Sequence, residues 1–169
     1  MRTVIRHLSA RAAGLTDALG TIAVLLMFAH MGLDIVIRLI TGAPPEGMPE
    51  AVARIYMVMV VFLPLAGLQA SGGQIEVTFL ADRLRGRPAR LQRGFAALVT
   101  MAVAAIFTWL SADVAWTATI RGERIVLTTF SLPVWPGRWA VVAGFGALSL
   151  VAFCQLLAVP GDDRTEPVP

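Results

Sequence analysis

His30, Asp34 and Arg38 follow one another at intervals of four, so on a helix they stack along a single face. An imidazole, a carboxylate and a guanidinium in that order suit a proton relay, one corner of a metal site, or a polar contact with another protein. A metal site needs more ligands, and the chain offers two histidines, His7 and His30, and a single cysteine, Cys154. That lone cysteine cannot close a bridge within the chain. The reading that fits the face best is an Asp34–Arg38 pair that neutralises itself, its long arginine stem reaching toward water, beside a subunit contact. Glu50 and Arg54 repeat the same spacing. Glu50 falls in the first turn of a predicted helix, where the positive end of the dipole favours a carboxylate. Asp113 is placed to meet Arg121 or Arg124, or to face lipid headgroups. The sequence holds no Ser–His–Asp constellation, no P-loop, no paired catalytic carboxylates and no pair of histidines placed for a haem, so no enzyme activity and no cofactor is expected.

The elements that must carry these residues follow from composition. The chain is 57% apolar and 15% charged, with a mean hydropathy of +0.73. A soluble domain is nearer 45–50% apolar and about 25% charged, so disorder, nucleic-acid binding and a disulfide-stapled secreted fold are excluded together. Crossing a hydrocarbon core of about 30 Å takes roughly 20 apolar residues. Four stretches qualify, at about residues 15–40, 50–72, 88–116 and 139–159, and residues 160–169 read as a frayed tail. The fold class is an all-α integral membrane protein of one four-helix domain, because backbone polar groups in lipid must be satisfied within each segment and the runs lack the alternation of barrel strands. Arginines ahead of an apolar run also suit a cleaved signal peptide, but this run stays apolar to Ile40 and shows no convincing cleavage site. Pro49 suits the start of the second helix, and Pro64 implies a kink within it. Ala140 with Gly144, and Ala143 with Ala147, form small-residue pairs that permit close packing of the fourth span.

All fourteen basic residues are arginine. Nine lie on the side of the termini and of the connection between spans two and three, and five (Arg38, Arg54, Arg121, Arg124 and Arg138) lie on the other. The excess places both termini in the cytoplasm. Trp109, Trp116, Trp135 and Trp139 gather toward the opposite, outer side as an interfacial belt. The inner connection runs through Gln74–Leu84 into an arginine-rich turn, and Arg83, Arg85, Arg87, Arg90 and Arg93 are expected at the lipid interface, each contributing about 1 kcal/mol against an anionic leaflet. No span carries an acidic residue at its middle, which a self-sufficient proton-driven exporter would require.

The order of these features resembles the small membrane subunit of tripartite ATP-independent periplasmic (TRAP) transporters, the DctQ/SiaQ-like family, over about residues 15–158. Arg38 resembles the arginine that closes the family's first span, and Gly42 the glycine of the hairpin after it. Glu50 matches the acidic residue opening the second helix, and Gly67 the glycine within it. Gln74-Ile75-Glu76-Val77 stands where the family has His-Ile-x-Val followed by Asp, with Gln74 replacing the histidine and Thr78 the aspartate. Pro133 and Trp135 resemble the proline and aromatic that lead into the last span.

The resemblance implies a bacterial inner-membrane complex. Its partners would be a much larger multi-span permease subunit, which holds the substrate and ion sites, and a periplasmic solute-binding protein; nucleic acid is not among them. Uptake would be symport of organic acids, with this chain as a scaffold. On this view His30, Asp34, Arg38, Glu50, Arg54, Gly67, Pro133 and Trp135 are candidate partner contacts. The competing readings are a membrane anchor of a redox enzyme complex and a small transporter acting alone.

Overall fold

The protein is described here from a computed structural model covering residues 2–43, 47–71, 87–126 and 131–158. Helix α1 runs from Arg2 to Thr41, 40 residues, and so begins well before the expected start near residue 15. Its N-terminal stretch is rich in alanine, leucine and arginine and has no proline, so nothing halts the helix. It stops at Gly42, whose φ of +74° is open to glycine, and the Gly42 N–H donates to the Arg38 carbonyl at 2.9 Å.

The second span is built in pieces. Helix α2 (Met48–Ala51) passes into a π turn (Val52–Tyr56), then α3 (Met57–Phe62) and α4 (Leu65–Ser71). The break between α3 and α4 falls at Leu63–Pro64, where the missing proline N–H removes a rung of the ladder, as the kink expected at Pro64 requires. Helix α5 (Arg87–Ile120) continues past the expected limit at Trp116. The first residue there able to adopt the left-handed conformation is Gly122, at φ +59°. The Glu123 N–H then donates to the Ala118 carbonyl at 2.9 Å, and the Gly122 N–H to Thr119 at 3.1 Å.

A two-stranded antiparallel hairpin, β1 (Arg124–Val126) and β2 (Ser131–Pro133), follows, with Ile125 opposite Leu132. Helix α6 (Trp135–Ala158) starts four residues ahead of the expected Trp139, since Pro136 in the first turn is pre-set for helix. Four helical spans, Ser9–Thr41, Pro49–Ser71, Pro88–Ile120 and Trp135–Ala158, are long and apolar enough to cross a membrane. One end of the molecule carries Gly42, Gly47 and the hairpin (the hairpin end); the other carries Ser71, Arg87 and Ala158 (the terminal end).

Span four is the hub. It packs on spans one, two and three, whereas spans one and three do not pack extensively on each other, nor do two and three. Gly137 and Gly144 bring its backbone against span two, with no space for a side chain between Gly137 and the Arg54 carbonyl or between Gly144 and the Phe62 carbonyl. Ala140 is buried between them on the same face, while Ala143 is exposed. Of the two small-residue pairs, Ala140 with Gly144 therefore makes the close approach. On the side toward span three, Phe145 stacks on Phe107 with centroids 5.1 Å apart and leans on Phe62 at 5.4 Å. Ala13, Ala66 and Val151 form a buried cluster joining spans one, two and four. The result is a triangle of spans one, two and four with span three laid along the remaining side of span four.

Candidate functional site

At the hairpin end, the face predicted from spacing meets span two. His30 on α1 shares a hydrogen bond with the Tyr56 hydroxyl, Nδ1 to Oη 3.1 Å, the rings edge to face at 86°. Tyr56 closes the π turn, and the residue that turn accommodates shifts the register of the preceding helix relative to α3. One turn along α1, Arg38 donates from Nη2 to Asp34 Oδ2 at 3.4 Å, with Arg38 largely exposed and Asp34 mostly covered. The other carboxylate oxygen, Asp34 Oδ1, is buried without a hydrogen-bond partner. His30, Asp34 and Arg38 thus form one polar strip along span one, joined to span two where His30 meets Tyr56. It can accept and donate hydrogen bonds. Among the described residues, no three histidine, cysteine or carboxylate side chains come together to hold a metal.

Glu50 lies in the first turn of α2, as expected, but forms no ion pair with Arg54 among the described residues. Arg54 instead contributes its backbone, the carbonyl that faces Gly137.

The hairpin is tied down at its base. Arg138 Nη2 donates to Glu123 Oε1 at 2.7 Å, the Val134 N–H donates to the Glu123 carbonyl at 3.1 Å, and Trp139 Nε1 donates to Thr119 Oγ1 at 3.0 Å. Pro133 ends β2 opposite Arg124, and Trp135 heads α6, partly exposed. Arg121 and Arg124 are exposed on the same loop, and Asp113 pairs with neither. Trp116, Trp135 and Trp139 sit near this end, with Trp109 two turns deeper on α5 and exposed.

Gly67 is buried inside the chain, toward the terminal end. The Asp17 carboxylate of α1 occupies the space that a side chain on Gly67 would need. Beyond it, Gln69 Nε2 donates to Gln155 Oε1 at 2.6 Å and Gln155 Nε2 to the Gln69 carbonyl at 2.9 Å, tying span two to span four. Asp17, Tyr56, Gln69, Gln155 and Glu123 are the polar residues that spacing alone did not single out. Tyr56 is the chain's one tyrosine, and the glutamines lie far apart in sequence, so only the fold brings either to its partner. Of the lipid-interface arginines, Arg87, Arg90 and Arg93 lie in the first two turns of α5. Arg83 and Arg85, and the segment Gln74–Thr78, lie outside the described residues.

Four apolar spans joined by short connections define a multi-pass membrane protein. A family model described as "Tripartite ATP-independent periplasmic transporters, DctQ component" matches residues 27–159, and the chain belongs to that family. No curated protein and no solved structure matches the chain. The family is a transporter component rather than an enzyme family, and the matched region takes in all four spans in whole or in part.

Proposed function

We propose that this chain is the small membrane subunit of a TRAP-type secondary transporter, and that it acts as a fixed scaffold for the large permease subunit. Both termini are then cytoplasmic, the hairpin end faces the periplasm of the bacterial inner membrane, and a solute-binding protein docks there during uptake of organic acids. The observation that carries the reading is the packing scheme. A triangle of spans with a fourth laid beside it leaves broad apolar faces on spans one and three, including Leu19, Leu26, Phe95 and Ile106, each more than half exposed. Such faces suit either lipid or a large apolar partner, and family membership supplies a partner of that kind.

The polar strip of His30, Asp34 and Arg38, with Glu50, Pro133 and Trp135 at the same end, is the proposed region of contact with the permease and the binding protein. The nine arginines on the terminal side support the orientation. The test is co-expression with a large TRAP permease subunit from the same source, followed by purification in mild detergent through a C-terminal tag. Recovery of a many-span permease, with substrate uptake by vesicles that hold both subunits and receive the binding protein, supports the reading. Recovery of the chain alone, or uptake undiminished in its absence, overturns it.

A further inference from the structure

We propose that Asp17, held against Gly67 on the flank of span one, receives an arginine or lysine side chain from a transmembrane helix of the large permease subunit. The inference rests on the assembly proposed above and names one of its contacts.

Asp17 and Asp34 bracket the uncharged stretch of span one, and at ~1.5 Å per residue their separation along the helix is about 25 Å. A hydrocarbon core is about 30 Å thick, and tilt shortens the projection further. With the Asp34–Arg38 pair at one membrane surface, Asp17 falls inside the hydrocarbon boundary at the other. A carboxylate there is costly unless it is paired.

Among the described residues the chain supplies no pair. Asp17 has no hydrogen-bond or ion-pair partner through its carboxylate among the described residues. The nearby Thr21 hydroxyl turns back to the Asp17 backbone carbonyl at 2.9 Å instead. Arg11 is the nearest described cation on the same helix, but six residues away it lies about 120° round the axis. Asp17 is nevertheless fixed in place, since its carboxylate lies over the bare backbone of Gly67 while the residue stays exposed on its other side.

The surface around it is apolar. Val24, Phe28 and Ile35 follow along the same flank, and Phe28 is 68% exposed. One charge on an otherwise apolar stripe matches a partner helix that is apolar with one opposite charge. A bound metal ion suits the place less well, because a hard cation takes about six oxygen ligands and Gly67 presents only Cα–H on this side. A guanidinium or ammonium needs only the carboxylate.

The experiment uses the chain co-expressed with its large subunit and purified in mild detergent. Asp17→Asn keeps the shape and removes the charge. The expected result is a loss of about ten-fold or more in permease retained per small subunit, with the melting temperature and circular dichroism of the variant chain alone unchanged. Gly67→Ala, which displaces the carboxylate, is expected to weaken retention in the same direction. Exchange of one intramembrane arginine or lysine of the permease for aspartate should restore retention to an Asp17→Arg chain. Undiminished retention with Asp17→Asn overturns the proposal, as does a fall in the isolated chain's own melting temperature that accounts for the loss. Failure of the unaltered chain to retain any permease overturns the assembly itself, and that outcome is distinguished by being independent of residue 17.

Discussion

Glycine is used here where two backbones touch, and the positions can be told apart by what a methyl group would meet. At Gly144 it would meet the Phe62 carbonyl, a group that cannot rotate away. At Gly146, two residues on, it would meet only the Thr108 methyl at an ordinary 3.7 Å. Gly144→Ala is therefore expected to lower the stability of the isolated chain by ~1–3 kcal/mol. Gly146→Ala should be neutral or stabilising by up to about 1 kcal/mol, since alanine is the better helix former. Thermal unfolding of the two variants in the same detergent checks the contrast, and equal effects would refute the packing described for span four. Tyr56→Phe removes one hydrogen bond to His30 and is expected to cost about 0.6 kcal/mol, the usual scale for such bonds within membranes. The spacing of His30, Asp34 and Arg38 was readable from sequence because one helix sets it. Tyr56 was not, because its approach depends on a π turn in another helix, and π turns leave no periodic trace.

Elements show the same division. Four apolar runs are legible at the level of composition, and Pro64 announces its break because a missing N–H is a property of the residue itself. Helix ends are less legible, since apolar character fades before the backbone stops; α5 runs on to Ile120 because only Gly122 can turn it. The short hairpin was invisible to pattern. Strands of three residues carry too little alternation to register, and their pairing is secured from outside by Glu123 and Arg138. Both partners of that clasp are about one-third exposed, so solvent screening limits it to roughly 0.2–1 kcal/mol. Arg138→Ala should accordingly leave the spans intact while the Val134 amide, bonded to the Glu123 carbonyl, exchanges with solvent several-fold faster. An unchanged exchange rate would show that the strand pairing holds the hairpin unaided.

At the scale of the whole molecule, the order of spans in the sequence does not reveal which of them touch. Small residues are spread through all four, and only the structure shows which of them meet a neighbour, Gly137 and Gly144 of span four against the backbone of span two and Gly67 of span two against Asp17 of span one. In a chain whose Cys154 is replaced by serine, a cysteine pair at positions 13 and 151 is expected to cross-link under mild oxidation, since Ala13 and Val151 share one buried cluster. A pair at positions 13 and 97, on spans one and three, is expected not to do so. Cross-linking of the second pair in the isolated chain would contradict the triangle with its appended helix.

The helix that joins the others is also the last of the four in chain order. Spans one and two can associate as soon as both have left the ribosome, but span three then waits in the bilayer without its main native neighbour until the two dozen residues of span four emerge. A nascent chain arrested before Trp135 therefore holds a matched pair and a lone segment, and the four spans reach their native packing only once span four has emerged.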